Sequence, residues 1–373
     1  MGAFNSMRAR AGCGAAAVAF AAFVLAPGAA RAAYIQTNLQ SSVLGLAATQ
    51  DTDLINPIGI ALGATSPLIV ADNGNGLSTL YNGSGTKQGL VISLASGGTP
   101  TGAAFNATGD FNGDLFLYAT NQGQIAGWRP ALGTSAEILA DLGGGGASYT
   151  GLAIGSTIAG TYLFAANFSQ NRIDVFPSLG APAVSGSFTD PTLPAGTSVF
   201  NIQRIGSDLY VTYTGAAGGI VDVFDLDGNL ERRLTSGGTL DEPWGMALAP
   251  AGFGEFGGAL LVGNHGDGTI SAFDPAAGTF LGQLADGVGD PLVNDGLWAL
   301  QFGNGGSGGL PDELFFTAGV NVGADGLFGK ITSTGGGTAV PEPATMTLFA
   351  GGLGFLALGR KRRPAPAAGA HRR

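Results

Sequence analysis

The chain has 373 residues, 45% of them apolar, 11% charged and 67 of them glycine. Disordered polar tracts have the reverse balance, so a globular body with a sizeable core is expected. Nine of the 16 basic residues lie in the two ends; between residues 33 and 340 seven basic residues face 25 acidic ones, a net charge of −18, which excludes nucleic acid as a partner.

The N-terminal segment reads as a signal peptide spanning residues 1–32. Arg8 and Arg10 precede an apolar run from Ala15 to Leu25, and Ala30-Arg31-Ala32 forms a small-x-small cleavage site between Ala32 and Ala33. Sec translocation and signal peptidase are the partners this implies. Pro27-Gly28 breaks the run before it could span a bilayer. Cys13, the single cysteine, precedes most of the run and follows Arg10-Ala11-Gly12, a poor lipobox, so it reads as incidental. The body is left with neither disulfide nor thiol nucleophile.

Residues 33–332 carry a repeat. Each unit has a small-residue turn, an apolar strand, a second apolar strand ending near Asn, and a third strand of alternating apolar residues. Pro57-Ile58-Gly59 pairs with Leu68 to Asn73, Thr101-Gly102 with Leu117 to Asn121, Thr150-Gly151 with Leu163 to Asn167, and Pro243-Trp244-Gly245 with Leu260 to Asn264. Fainter copies begin at Phe200-Asn201 and at Gly296-Leu297-Trp298. Anchored on Gly59, Gly102, Gly151, Asn201, Gly245 and Leu297, the steps are 43, 49, 50, 44 and 52 residues. Six units of that length predict an all-β, six-bladed β-propeller. Residues 34–45 belong to no unit and are expected to supply the outer strand of the last blade, closing the ring. A β-sandwich with a second β domain is the alternative.

Several residues in these units invite a chemical reading. The recurring Asn73, Asn121, Asn167 and Asn264 read as turn devices, because Asn tolerates left-handed backbone and bonds locally. Asp110, Asn112 and Asp114 space oxygen ligands at alternate positions, as do Asp225 and Asp227, but neither loop has the Gly and Glu of an EF-hand. Gly305-Gly306-Ser307-Gly308-Gly309 fits G-x-S-x-G without the strand and helix that motif needs. Trp244 and Trp298 occupy equivalent places in successive units, and His265, the one histidine of the body, follows Asn264 in a polar loop. These three are the candidate ligand contacts, since propeller ligands gather at the ends of the channel and aromatic faces suit sugars or extended peptides.

Residues 333–339 form a Gly/Thr-rich linker to Val340-Pro341-Glu342-Pro343, an apolar stretch from Met346 to Leu358 and the basic cluster Arg360-Lys361-Arg362-Arg363, with residues 364–373 as a basic cytoplasmic tail. The stretch falls short of a comfortable membrane span of about 20 residues. The order of these elements resembles the PEP-CTERM sorting signal of Gram-negative bacteria, which implies an exosortase-type membrane protease as partner, transient anchoring in the inner membrane, and release to the surface or exopolysaccharide matrix. A plain C-terminal anchor is the alternative. The blades are similar to NHL and gluconolactonase-type repeats, most clearly at Asn167 to Phe176. With Pro243-Trp244-Gly245 and Leu327 to Ile331, the whole chain resembles a PEP-CTERM-associated propeller-like family that supplies no activity to carry over.

The expectation is an exported surface or matrix propeller that binds a glycan or another surface protein without catalysis and without a cofactor. The alternative is a calcium-dependent hydrolase of the lactonase kind. Its Ca2+ would need Asp and Asn side chains converging on the channel, with Asp72, Asn201, Asn294 and Asp295 as candidates. A purely structural matrix component is a third reading.

Overall fold

A computed structural model describes residues 33–94, 97–216 and 218–335. The signal peptide with Ala32, the sorting motif at 340–343, the apolar stretch and the basic cluster at 360–363 lie outside the described residues.

Two strands, β1 (Tyr34–Ser41) and β2 (Thr49–Gln50), precede the first blade. Blade 1 is β3 (Pro57–Leu62), β4 (Leu68–Asp72), β5 (Leu77–Tyr81) and β6 (Lys87–Ser93). Blade 2 is β7 (Pro100–Phe105), β8 (Phe116–Thr120), β9 (Gln124–Trp128) and β10 (Glu137–Asp141). Blade 3 has three strands, β11 (Tyr149–Thr157), β12 (Gly160–Asn167) and β13 (Arg172–Pro177). Blade 4 is β14 (Ser198–Ile205), β15 (Asp208–Thr214), β16 (Ile220–Phe224) and β17 (Leu230–Ser236). Blade 5 is β18 (Pro243–Leu248), β19 (Leu260–Asn264), β20 (Ile270–Phe273) and β21 (Phe280–Gln283). Blade 6 takes β22 (Leu297–Phe302), β23 (Leu314–Ala318) and β24 (Leu327–Ser333).

The ring closes as the unassigned N-terminal segment predicts. β1 runs antiparallel to β24, from Tyr34 opposite Ser333 to Ser41 opposite Leu327, and β2 adds outside it. Beyond the strands, Thr334 N donates to Ala33 O at 2.8 Å. Closure gives blade 6 its outer strands from the N-terminal segment and so covers the edge that β24 would otherwise expose. The six-bladed ring replaces the sandwich alternative.

Six apolar clusters fill the six spaces between neighbouring blades. One joins blades 1 and 2 through Ile69, Ile92, Phe116 and Tyr118; another joins blades 5 and 6 through Phe253, Phe256, Leu300 and Phe316, with Tyr34 in it. Alternation along each strand sends successive side chains to the two neighbouring spaces, so one blade serves two cores.

The inner strands approach one another so closely that a Cβ is excluded at one position in each of four blades, at Gly59, Gly102, Gly151 and Gly245. A methyl on Gly59 would stand 2.8 Å from Ala103 N, on Gly102 2.3 Å from Leu152 N, and on Gly245 2.3 Å from Trp298 O. Strand register makes Ala299, not Leu297, the blade 6 counterpart: Leu297 faces Ala318 as Pro243 faces Asn264, two residues before the close approach. A register shift inside each inner hairpin hides this offset from simple spacing.

Blade 3 lacks a fourth strand because residues 178–197 leave its edge and cross to blade 4. There Gly186 N donates to Asp227 O at 2.7 Å and Phe188 N to Gly228 O at 3.0 Å, while Arg233 pairs with Asp190.

Candidate functional site

The six inner strands run in one direction around the channel, so their first residues share one mouth and their last residues the other. Register places Ile58, Thr101, Thr150, Phe200, Trp244 and Trp298 at equivalent positions of the first mouth. Three of these are large aromatics, and they meet. Trp244 and Trp298 lie edge to face with centroids 5.8 Å apart, and Phe200 sits 5.9 Å from Trp298. Trp244 is 4% exposed and its Nε1 donates to Thr150 O at 3.1 Å, so it is a floor across the channel. Trp298 is half-buried and donates through Nε1 to Asn56 Oδ1 at 3.3 Å.

His265 stacks on Trp298 at 3.7 Å with an interplanar angle of 21°. Its Nδ1 lies 3.2 Å from Leu297 O. A carbonyl only accepts, so that contact assigns the proton to Nδ1 and leaves Nε2 with a lone pair. Burial pushes the imidazole pKa down, and the Leu297 bond opposes this only in part. His265 is therefore a neutral acceptor at pH 7.

The structure thus brings Trp244, Trp298 and His265 together. It adds Phe200 and Phe168, which spacing alone does not single out. Phe168 is 41% exposed and stands 6.1 Å from Phe200. A signal for it exists: Phe168 follows Asn167 as His265 follows Asn264. Their backbone amides make the same bond, Phe168 N to Ser148 O and His265 N to Glu242 O, both at 2.9 Å. Asn73, Asn121, Thr214 and Gly319 fill that rim position in blades 1, 2, 4 and 6, so the aromatic rim is confined to one side of the mouth.

The recurring asparagines are not left-handed; positive φ falls instead on Asn56, Asn112, Asn171 and Asn321. Their side chains tie strand ends to neighbouring loops. Asn264 Nδ2 donates to Thr239 O at 2.7 Å, Asn167 Nδ2 to Asp174 Oδ2 at 2.7 Å, and Asn73 Nδ2 to Pro100 O of blade 2 at 3.1 Å.

The candidate calcium ligands are committed to different partners. Asp72 is fully buried with Oδ2 accepting from Thr79 Oγ1 at 2.8 Å, and burial pushes its carboxyl up. Asn201 Nδ2 donates to Trp244 O at 2.7 Å, and Asn294 exchanges two bonds with Gln36 of β1 at 2.8 and 2.9 Å. Asp295 is exposed beside it in the chain. In the blade 2 loop Asp114 Oδ1 pairs with Arg129 Nη1 at 2.7 Å and Asn112 Nδ2 donates to Glu137 Oε1 at 2.8 Å, while Asp110 caps the turn through its backbone carbonyl. A cation is already present there, supplied by Arg129. Among the described residues no group of three or more His, Cys, Asp or Glu side chains is placed to hold a metal. These donors do not fit a channel-bound calcium.

Comparison with known proteins adds three findings. Residues 339–363 match the PEP-CTERM protein-sorting motif, which implies export, processing by an exosortase and sorting to the cell surface. Virginiamycin B lyase from Staphylococcus aureus superposes with a TM-score of 0.52 over 81% of this chain and 99% of that one, at 14% identity, and a streptogramin B lyase structure does so equally at 13%. At that identity the likeness is one of fold, a six-bladed propeller. Two proteins of Acanthamoeba polyphaga mimivirus are similar in sequence: "Uncharacterized protein R648" at 37% identity over 79% of this chain and 78% of its own length, and "Uncharacterized protein L690" at 33% over 77% and 82%. With similarity of that degree over most of both chains, this protein belongs to the family of R648 and L690.

Proposed function

We propose that the chain is a non-catalytic binding propeller of the cell surface or exopolysaccharide matrix, and that it takes a neutral glycan at the aromatic mouth. The observation that carries this is the convergence of Phe168, Phe200, His265 and Trp298 on one side of that mouth over the Trp244 floor. Sugar C–H faces pack on aromatic rings, and sugar hydroxyls need acceptors. His265 Nε2 is such an acceptor, and a neutral one, so it favours neither a cation nor an anion. The lyase activity in the names of the structural neighbours does not transfer, because fold likeness carries no site.

A glycan array probed with the full chain and with Phe168→Ala tests this reading. Phe168 is exposed, so its loss leaves the core intact. Binding of neutral saccharides that falls about tenfold in Phe168→Ala supports it, the stacking of one sugar face being worth on the order of 1 kcal/mol or more. A blank array, or binding indifferent to the substitution, refutes it and leaves a protein partner or a structural role.

A further inference from the structure

We propose a second binding site, for a small carboxylate with a short apolar tail, at the opposite mouth of the channel. It is independent of the aromatic mouth, being separated from it by the Trp244 floor.

The first observation is a count of cations. Among the described residues, Lys87, Arg129, Arg172, Arg232, Arg233 and Lys330 each have a carboxylate within 4.0 Å. Arg204 has none. Its Nε donates to Gly206 O at 3.1 Å, and its two terminal nitrogens meet no acceptor among the described residues. In a body of net charge −18, a guanidinium without an acidic partner is unusual, since carboxylates outnumber cations by more than three to one.

The second observation is where it stands. Arg204 is four residues beyond Phe200 on β14, which carries it about 13 Å along the channel, to the far mouth. There it lines a cavity of about 200 Å³ bounded by all six inner strands and floored by Trp244. Leu62, Phe105 and Ile154 form apolar walls beside it, and Gln203 and Gln301 add amides. Gln203 Oε1 accepts from Met246 N at 3.2 Å, so its Nε2 protons remain to be donated. No acidic side chain lines this cavity.

The chemistry follows from these parts. A guanidinium fork binds a carboxylate through two parallel bonds, a free amide donor adds a third, and an apolar tail of a few carbons fits the walls. The volume limits the occupant to a handful of heavy atoms.

The test is saturation-transfer NMR of the full chain with butyrate, and with 1-butanol as the probe of equal tail and no charge. Butyrate receives saturation at its methyl group and binds at least tenfold more tightly than butanol. Arg204→Gln weakens butyrate about tenfold, the loss of a charge-assisted bond pair, while Arg172→Gln, at an ion pair elsewhere, leaves it unchanged. Gln301→Glu weakens butyrate as well, because the new carboxylate puts a negative charge in the lining of the same cavity. Equal affinity for butanol and butyrate, full affinity in Arg204→Gln, or no butyrate binding by the native chain each overturn the proposal.

Discussion

Gly102→Ala is expected to strain the whole inner ring. The added methyl would stand 2.3 Å from Leu152 N and 2.6 Å from Gly151 C, where ordinary contact begins at 3.4 Å. Both are backbone atoms, so no rotamer change relieves the overlap; β7 or β11 must shift by about 1 Å. The ring offers no slack, because Gly59 already stands against Ala103 N and Gly151 against the side chain of Asn201. Overpacking of this kind costs about 1–3 kcal/mol, which for a domain of this size lowers the melting temperature by roughly 2–10 °C. Gly89→Ala on β6 is the control. Nothing lies within 4 Å of its Cβ, and the substitution restricts only the unfolded chain, so it is neutral or stabilising by under about 1 kcal/mol. Calorimetric melting of the three proteins decides. If Gly102→Ala melts with Gly89→Ala and the native chain, the inner strands are not in the contact described.

Three further outcomes are expected. Asp222 is fully buried, and burial first and the Asp190 charge second push its carboxyl up to about 7, against Arg233. Its unfolded value is 3.8, so the unfolded chain ionises first and stability falls as pH rises from about 4 to 7. Asp222→Asn removes that loss, and its melting temperature relative to native should rise across the same window; a relative fall would mean the ionised form is favoured. Tyr34→Phe deletes a hydroxyl that donates to Phe253 O at 3.2 Å and accepts from Phe256 N at 3.1 Å, and is expected to cost about 1–3 kcal/mol in thermal unfolding. An unchanged melting temperature would show those bonds contribute nothing to closure. Millimolar calcium, compared with chelator, should leave melting unchanged; a rise of several degrees would restore the lactonase alternative.

Much of the architecture was legible because propeller blades repeat a pattern that burial imposes on each of them. The period-two runs at Ile220 to Phe224 and Ile270 to Phe273 are strands packed on both faces. Residues 34–41, belonging to no unit, close the ring. Trp244, Trp298 and His265 could be placed at one mouth because equivalent positions of successive units must share a rim. The remainder depended on three-dimensional facts with no local trace. Register shifts moved the blade 6 anchor from Leu297 to Ala299. Blade 3 lost its fourth strand to a segment whose anchors, Asp227 and Arg233, lie in another blade. Phe168 was hidden because its equivalents in blades 1, 2, 4 and 6, Asn73, Asn121, Thr214 and Gly319, carry no aromatic ring, and the isolation of Arg204 emerges only once every other cation of the described residues has found its carboxylate.

The clasp between β1 and β24 sets an order of assembly. Ala33 and Thr334 are 301 residues apart in the chain yet hydrogen-bond to each other, so the first strand made is the last to find its place. Loop closure over that distance adds little free energy, since the entropy grows only with the logarithm of length, but contacts so far apart form slowly. A body cut short anywhere between β1 and β24 is therefore not a smaller propeller. It is an arc with an adhesive strand at each end, and only the closed ring is free of that hazard.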